Sequence, residues 1–190
     1  MAKVTEIRWH GRGGQGVVTA GKMLAQVALN SGQYFQAFPD YGPERAGAPI
    51  RAFTRLSSEP IHMHCQIEVP DMVLVLDPTL LETVKVTEGL KEEGILLVNT
   101  DEPPAKVRDM VDFHTGKVVT VDATKIALET LGREITNTPM LGALVKATGI
   151  LTIEELIAQT RKQFGDKFGT EVVNRNVEAI KRAAEEVQEG

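Results

Sequence analysis

The chain has 190 residues, which suits a single domain spanning residues 1–190. Its apolar fraction of 42% and charged fraction of 25% are ordinary for a soluble globular protein, and its net charge of −5 argues against nonspecific nucleic-acid binding. No apolar run approaches the roughly 20 residues needed to span a bilayer, and the N-terminus lacks the apolar core of a signal peptide. We therefore expect a cytoplasmic protein. Cys65 is the only cysteine, which excludes an intrachain disulfide and an iron–sulfur cluster held by four thiolates of this chain.

The first quarter of the chain predicts a strand, a helix and a second strand, each followed by a loop. Residues 4–10 alternate between the two faces of a strand, and one of these faces is polar. Such a strand lies near a sheet edge, or a ligand or partner covers its polar face. Residues 17–30 show helical spacing of apolar side chains, and residues 34–38 predict the second strand. Three prolines exclude a helix from the loop 39–49.

The rest of the chain predicts a hairpin and then alternating strands and helices. Residues 50–57 and 61–67 read as two strands joined by a Ser-Glu-Pro turn. Continuous apolar runs, typical of parallel strands buried on both faces, cover residues 72–76, 95–98 and 118–121. Helices are predicted over residues 79–90, 123–131, 152–164 and 171–187, with another that has Thr138 as its N-cap and Pro139 as its first residue.

These elements predict an α/β fold. Strands that alternate with helices build a mostly parallel sheet flanked by helices. The hairpin adds antiparallel strands, and the overall plan is Rossmann-like. The last helix carries an apolar seam that packs either on its own sheet or on another chain.

The loop between the first strand and the first helix is the leading candidate site. It consists of Gly11, Arg12, Gly13, Gly14, Gln15 and Gly16. Backbone N–H groups at such a turn bind phosphates, and Arg12 and Gln15 supply side chains for a ligand or a partner. A dinucleotide site for NAD or FAD would use Asp40 as the ribose-binding acid, although Asp40 falls inside a long loop. The alternative is that the glycines only permit a tight turn.

The loop 39–49 is the second candidate. Its length and its stiffening by proline and glycine favour a function in ligand or subunit contact over a mere connection. The side chains able to make such contacts are Tyr41, Glu44 and Arg45. The alternative is a surface loop braced by Glu44 and Arg45.

Other polar residues carry weaker signals. A sequence resembling a P-loop at residues 16–22 lacks the hydroxyl that reaches Mg²⁺ and overlaps the first helix. His62 and His64 lack a third ligand at metal-binding spacing. Cys65 is interpreted as a buried small hydrophobe. Asp77 and Asp122 follow buried strands, where each either contacts a ligand or caps the next helix.

Arg51 and Arg55 share one face of a predicted strand. They either bind phosphate or carboxylate or face solvent. No arrangement of serine, cysteine, histidine and aspartate predicts a nucleophilic catalytic site, so we expect this chain to lack a catalytic apparatus.

Six segments together resemble the gamma subunit of the 2-oxoacid:ferredoxin oxidoreductases, the family of pyruvate synthase and 2-ketoisovalerate oxidoreductase. The segment 36–49 is long and unusual, so chance similarity is a poor explanation. The resemblance covers nearly the whole chain. It is carried by residues 7–16, 36–49, 70–77, 94–99, 121–124 and 137–145.

The resemblance implies a subunit of an enzyme complex that converts a 2-oxoacid, coenzyme A and oxidised ferredoxin into acyl-CoA, CO₂ and reduced ferredoxin. Thiamine diphosphate, Mg²⁺ and iron–sulfur clusters would then belong to the alpha, beta and delta partner subunits, with none in this chain. The isolated chain would be inactive. Its role would be assembly, active-site closure and a share of the coenzyme A site, through the two glycine-rich loops. The alternatives are a stand-alone nucleotide-binding protein that uses NAD or FAD and a binding module without a catalytic partner.

Overall fold

Seven strands and seven helices make up the parts of the chain that the structure describes. The computed structural model describes residues 4–40, 47–165 and 167–190. The strands are β1 (Thr5–Arg12), β2 (Tyr34–Asp40), β3 (Pro49–Ser57), β4 (Met72–Val75), β5 (Ile95–Asn99), β6 (Lys117–Val121) and β7 (Gln188–Glu189). The helices are α1 (Val17–Asn30), α2 (Leu80–Thr83), α3 (Pro104–Met110), α4 (Ala123–Leu131), α5 (Asn137–Thr148), α6 (Ile153–Gly165) and α7 (Thr170–Glu186).

The strands form one mixed sheet in the order β2-β3-β1-β4-β5-β6-β7. β1, β4, β5 and β6 run parallel to one another, whereas β3 runs antiparallel to both of its neighbours, β1 and β2. We call β2, β3 and β1 the antiparallel half of the sheet and β4, β5 and β6 the parallel half. The predicted α/β class with a flanked sheet and an antiparallel addition is confirmed.

The predicted partner of β3 in the hairpin was wrong. Residues 61–67 form neither helix nor strand, and β3 pairs with β2 instead, in a register that sets Phe38 opposite Phe53. The physical reason is that a strand has two edges. Those of β3 are occupied by β1 and β2, so no edge of β3 is left for residues 61–67.

Apolar side chains cover both faces of the sheet, in two clusters of different size. The larger cluster joins α1, α4, α5 and α7 to one face, and Trp9 and Leu24 lie at zero exposure within it. The smaller cluster covers the other face of the parallel half with α2, α3 and the segment after α2. The seam of α7 packs on its own domain, through Val173, Val177 and Ile180.

Two helix predictions need correction. The helix expected over residues 79–90 is limited to the four residues of α2. The chain leaves the helix because Val86 enters the smaller core cluster while its carbonyl oxygen accepts a hydrogen bond from Arg8. The helix expected to start with Thr138 as its cap begins at Asn137, because the Thr138 hydroxyl is buried and bonds to Asn176 of α7.

Candidate functional site

The first glycine loop connects β1 to the N-terminus of α1. Gly14 has a φ of 101° and Gly16 a φ of 78°, in the left-handed region that side chains disfavour. A side chain at Gly16 would also press on the amide of Asn137 at the start of α5. Glycine at position 16 is therefore required by backbone conformation and by the closeness of a second helix.

The two polar side chains of this loop bind the chain's own Asp77, which follows β4. The Gln15 amide nitrogen donates to Asp77 Oδ2 at 2.7 Å, and Gln15 Oε1 accepts from the backbone N–H of Arg12 at 2.7 Å. Arg12 Nε donates to the same Asp77 oxygen at 3.1 Å, and its Nη2 donates to Thr79 Oγ1 at 2.9 Å. Both side chains are thus held by contacts within the chain, and their contact with a ligand or a partner stays a prediction. Gln15 stabilises the loop through its hydrogen bonds to Arg12 and Asp77, whereas 31% of the Arg12 side chain remains exposed.

Asp77 is ionised at neutral pH. Burial, the largest influence, raises the pKa of its carboxyl, but hydrogen bonds from Thr79 and Gln15 and the charge of Arg12 outweigh it. The pKa therefore lies below its ordinary value. Asp77 also accepts a hydrogen bond from the backbone N–H of Thr79, the residue before α2, so it holds both the glycine loop and the turn that leads into α2, although α2 has no side-chain cap.

The N-terminus of α1 differs from that of α4 at the same edge of the sheet. Asp122 accepts a hydrogen bond from the backbone N–H of Lys125 and caps α4, as one of its two predicted roles required. α1 is preceded by Gly16, which supplies no capping side chain. The first-turn N–H groups of α1 thus have no side-chain cap, and such groups attract anions.

The second loop contacts the first loop through its C-terminal end, residues 47–49. Gly13 donates its backbone N–H to the carbonyl of Ala48 at 3.0 Å, and Arg12 Nη1 donates to the carbonyl of Gly47 at 3.2 Å. The other site predictions in this loop, Tyr41, Glu44 and Arg45, lie outside the described residues. The end of the second loop at Gly47 and Ala48 nevertheless lies beside the first loop.

The polar face of β1 is covered by the chain itself, and β1 lies inside the sheet between β3 and β4. Arg8 and His10 are both 4% exposed. Arg8 Nε donates to His10 Nε2 at 3.1 Å, and Arg8 Nη2 donates to the carbonyls of Val86 and Glu88. Burial, followed by the charges of Arg8 and Arg51, lowers the pKa of His10 to about 3. The sequence predicts this polar face but not the segment that covers it, because that segment lies some 80 residues downstream.

The two arginines of β3 bind carboxylates of neighbouring strands. Arg55 is 1% exposed, and its Nε lies 2.8 Å from Glu6 Oε1 of β1. Arg51 lies 2.6 Å from Asp40 of β2. Carboxylate binding, one of the predicted roles, therefore occurs within the chain.

Geometry disfavours the dinucleotide hypothesis. Asp40 is paired with Arg51, and it also accepts a hydrogen bond from the Gln66 amide at 2.8 Å. Its strand, β2, is at the sheet edge with β3 lying between it and β1, so Asp40 is not on the strand next to the glycine loop. Lys22, in the sequence resembling a P-loop, is an exposed residue in the second turn of α1.

The remaining predictions concern metal binding and the cysteine. Within the described residues, no three side chains of histidine, cysteine, aspartate or glutamate come together as a metal site. The prediction that Cys65 is buried was wrong. Its thiol is exposed and lies 3.7 Å from Arg55 Nη2, because residues 61–67 run along the surface instead of entering the sheet. No helix in the described ranges is long and apolar enough to cross a membrane.

The fold and the loop together define a class of protein. It is a Rossmann-like α/β domain in which the glycine loop is hydrogen-bonded to Asp77, after β4. Asp40, the residue that a dinucleotide site would use to bind ribose, is paired with Arg51. The chain matches the model of the pyruvate ferredoxin/flavodoxin oxidoreductase family over residues 6–186 and therefore belongs to that family.

Individual relatives are similar over their whole length. Pyruvate synthase subunit PorC of Thermotoga maritima is 52% identical over 186 residues, which cover 98% of this chain and 96% of the relative. The common gamma subunit of the pyruvate and ketoisovalerate oxidoreductases of Pyrococcus abyssi is 51% identical, with 96% and 97% covered. A crystal structure of the pyruvate oxidoreductase subunit PORC of T. maritima superposes with a TM-score of 0.89 at 49% identity, covering 99% of each chain. The predicted resemblance to gamma subunits is confirmed.

Proposed function

We propose that this chain is the noncatalytic gamma subunit of a complex that oxidatively decarboxylates pyruvate or a related 2-oxoacid. The products would be acyl-CoA and CO₂, with electrons passed to ferredoxin. The observation that carries this proposal is the similarity of about half of all residues, over nearly the full length, to subunits named for pyruvate synthase and for pyruvate and ketoisovalerate oxidoreductases.

The residues of this chain limit which cofactors of the complex it is able to bind. One cysteine cannot supply the four thiolates of an ordinary iron–sulfur cluster. We therefore assign iron–sulfur clusters, thiamine diphosphate and Mg²⁺ to the alpha, beta and delta subunits. This chain contributes a folded surface that closes the complex, and its removal abolishes activity by dismantling the assembly.

The two-loop region is our proposed share of the coenzyme A site. Coenzyme A carries a diphosphate and a 3′-phosphate, and the first-turn N–H groups of α1 have no side-chain cap. The half-exposed Arg12 supplies a cation beside them. The second loop adjoins Arg12 through Gly47 and brings Tyr41, Glu44 and Arg45 into the proposal. Asp77 holds the Arg12 side chain on one side, so the guanidinium is positioned before a ligand arrives.

Isolation of the native complex tests the assignment as a subunit. A tagged chain is recovered from anaerobic extract, and iron, thiamine and pyruvate-dependent ferredoxin reduction are assayed in the eluate. We expect larger partner chains that carry iron and thiamine, together with activity. Recovery of the chain alone would overturn the proposal.

Kinetics of the assembled enzyme test the coenzyme A contact. Arg12→Ala and Arg45→Ala should raise the KM for coenzyme A about tenfold or more, because each removes a charged hydrogen bond to a phosphate, while the KM for the 2-oxoacid stays constant. Arg161→Ala, at an exposed position of α6, is the matched control. An unchanged KM for coenzyme A in both variants would remove the loops from the site but leave the subunit assignment standing.

A further inference from the structure

A groove lined by three lysines runs between α1 and α6. Its volume is about 500 Å³, which is in the range of small-molecule sites in proteins. The two helices form its walls, and the turn that follows α6 contributes one further side chain. The lining residues that bear on recognition are Lys22, Met23 and Gln26 of α1, Lys162 and Gln163 of α6, and Lys167 of the turn.

Antiparallel packing of α1 and α6 sets this groove beside the glycine loop. At the C-terminal end of α1, Asn30 donates to Gln159 Oε1 at 2.8 Å, and Ser31 donates to Glu155 at 2.6 Å. The C-terminal end of α6 therefore lies toward the first turns of α1, where Thr19 also lines the groove. The groove thus opens within one helical turn of the N–H groups of α1 that have no side-chain cap.

The groove is positively charged, although the chain as a whole has a net charge of −5. Lys22, Lys162 and Lys167 are all exposed. Among the described residues, no acidic side chain lines the groove with them, and none of the three takes part in an ion pair. Three like charges around one groove create a positive potential, which attracts an anionic ligand.

The uncharged side chains of the groove indicate which anion fits. Gln26 and Gln163 bring side-chain amides to it, and Met23, which is 3% exposed, forms an apolar part of the wall. Glutamine amides match the donor and acceptor on the edge of adenine, and lysine ammonium groups bind phosphate. Inorganic phosphate or an acidic peptide would use only the lysines. An adenine nucleotide with a phosphate uses the lysines, the amides and the apolar wall together.

Coenzyme A carries its phosphates in the arrangement that the groove and the glycine loop require together. Its diphosphate and its 3′-phosphate are attached to the same ribose, at the 5′ and 3′ positions. From Val17, where α1 begins, to Lys22 the helix rises by about 7.5 Å, at ~1.5 Å per residue. A diphosphate at the N-terminus of α1 therefore brings the 3′-phosphate within reach of the long Lys22 side chain.

We infer that the groove between α1 and α6 binds the adenosine 3′-phosphate portion of coenzyme A. This inference rests on the proposed function, because it continues the coenzyme A site proposed at the two loops. Lys22, Lys162 and Lys167 bind the 3′-phosphate. Gln26 and Gln163 bind the edge of the adenine. The three lysines thereby make the enzyme specific for coenzyme A over dephospho-coenzyme A, which lacks the 3′-phosphate.

Substitution of the three lysines in the assembled enzyme tests this specificity. In the wild type at low ionic strength, the KM for coenzyme A should be at least about tenfold below the KM for dephospho-coenzyme A. In the triple variant Lys22→Gln, Lys162→Gln, Lys167→Gln, the KM for coenzyme A should rise to that for dephospho-coenzyme A. The KM for dephospho-coenzyme A should itself change by less than about twofold, because it has no phosphate for these lysines to bind.

Two further variants serve as controls for this measurement. Lys181→Gln removes an exposed lysine of α7 and should keep the wild-type preference for coenzyme A. Arg12→Ala should raise the KM for both substrates, because both carry the diphosphate. A comparison of inhibitors gives a second readout. The triple variant should weaken competitive inhibition by adenosine 3′,5′-bisphosphate at least about tenfold, and inhibition by ADP should stay constant.

Three outcomes would contradict these expectations. Equal KM values for the two substrates in the wild type, or an equal rise of both in the triple variant, would overturn the inference. Loss of partner subunits from the triple variant, measured as iron and thiamine recovered with the tagged chain, would assign the groove to an acidic segment of a partner and would also overturn it. A wild-type complex that does not use coenzyme A would instead overturn the proposed function.

Discussion

The two halves of the sheet are built on different physical principles. In the parallel half, each strand is apolar on both faces, and α4, which follows β6, is capped by the side chain of Asp122. In the antiparallel half, charged side chains such as Arg8 and Arg55 are buried beside acids, carbonyls and a neutral histidine. The candidate site lies beside this second half, because Arg12 and the glycine loop follow β1. The comparison teaches that the parallel half is an apolar scaffold, and that the buried charged side chains are concentrated in the half that carries the candidate site.

The buried ion pair of the antiparallel half should give the largest effect on stability. Arg55→Ala leaves the Glu6 carboxylate without its cation, and breaking such a pair costs about 3–5 kcal/mol of unfolding free energy. Urea denaturation of the isolated chain measures this. The double variant Glu6→Gln with Arg55→Met should be distinctly more stable than Arg55→Ala, since neither charge remains.

An exposed pair supplies the control for that measurement. Arg175 and Glu171 form an i,i+4 pair on the surface of α7, and Arg175→Ala should change the unfolding free energy by less than about 0.5 kcal/mol. If Arg55→Ala proved as mild as Arg175→Ala, the distinction between the halves would lose its main support.

The pH dependence of stability sharpens the comparison at His10. Its pKa of about 3 in the folded chain lies below the ~6.5 of an unfolded histidine, so the unfolded state binds a proton first as the pH falls. The stability that a neutral His10 contributes is complete above pH ~6.5 and is lost progressively as the pH falls toward 3. The wild type should therefore lose unfolding free energy relative to His10→Gln, with a slope that approaches about 1.4 kcal/mol per pH unit between pH 6 and 4.

The His10→Gln variant is chosen because its amide oxygen is able to accept the hydrogen bond from Arg8 that His10 Nε2 now accepts. Acidic groups titrate in both proteins and cancel in the difference. Parallel stability curves for the two proteins over this range would show that His10 is protonated in the folded chain, contrary to its burial beside two arginines.

A smaller effect than that of Arg55→Ala is expected in the parallel half, at a helix end. Asp122→Ala removes the cap of α4 and should cost about 1 kcal/mol of unfolding free energy, whereas Asp122→Asn, which keeps an accepting oxygen, should change it by a few tenths. Urea denaturation of both variants measures these changes in unfolding free energy. A cost above that of Arg55→Ala would reverse the ranking of the two halves.

Local elements were predictable because their signals lie within a few residues. The bounds of α1 and α4 agree with the spacing of their apolar side chains, and Thr152 and Glu155 form the capping box that the sequence predicts, with each backbone N–H bound to the other side chain. The failures were non-local. Residues 61–67 alternate like a strand, yet no edge of β3 was free to receive them.

In the candidate site, too, local features were predictable from the sequence and long-range contacts were not. Its glycines and its two loops were recognisable because a strand, a tight turn and a helix follow one another directly in the chain. The anchoring of Arg12 and Gln15 on Asp77 was not, because the carboxylate lies more than 60 residues away and reaches the loop only when β4 pairs with β1.

The sequence by itself determined the α/β class, the family and the position of the glycine loops, since each depends on patterns within short segments. Only the tertiary structure decided what each charged side chain does. Strand order placed Asp40 on Arg51 instead of beside the glycine loop, and it buried Arg8 and His10 under a distant turn. Among the described residues, strand order also placed β2 at an edge of the sheet, with β3 as its only neighbouring strand. The reason is that pairing partners in a sheet are chosen by competition among distant segments for a limited number of edges, and no local pattern records the outcome.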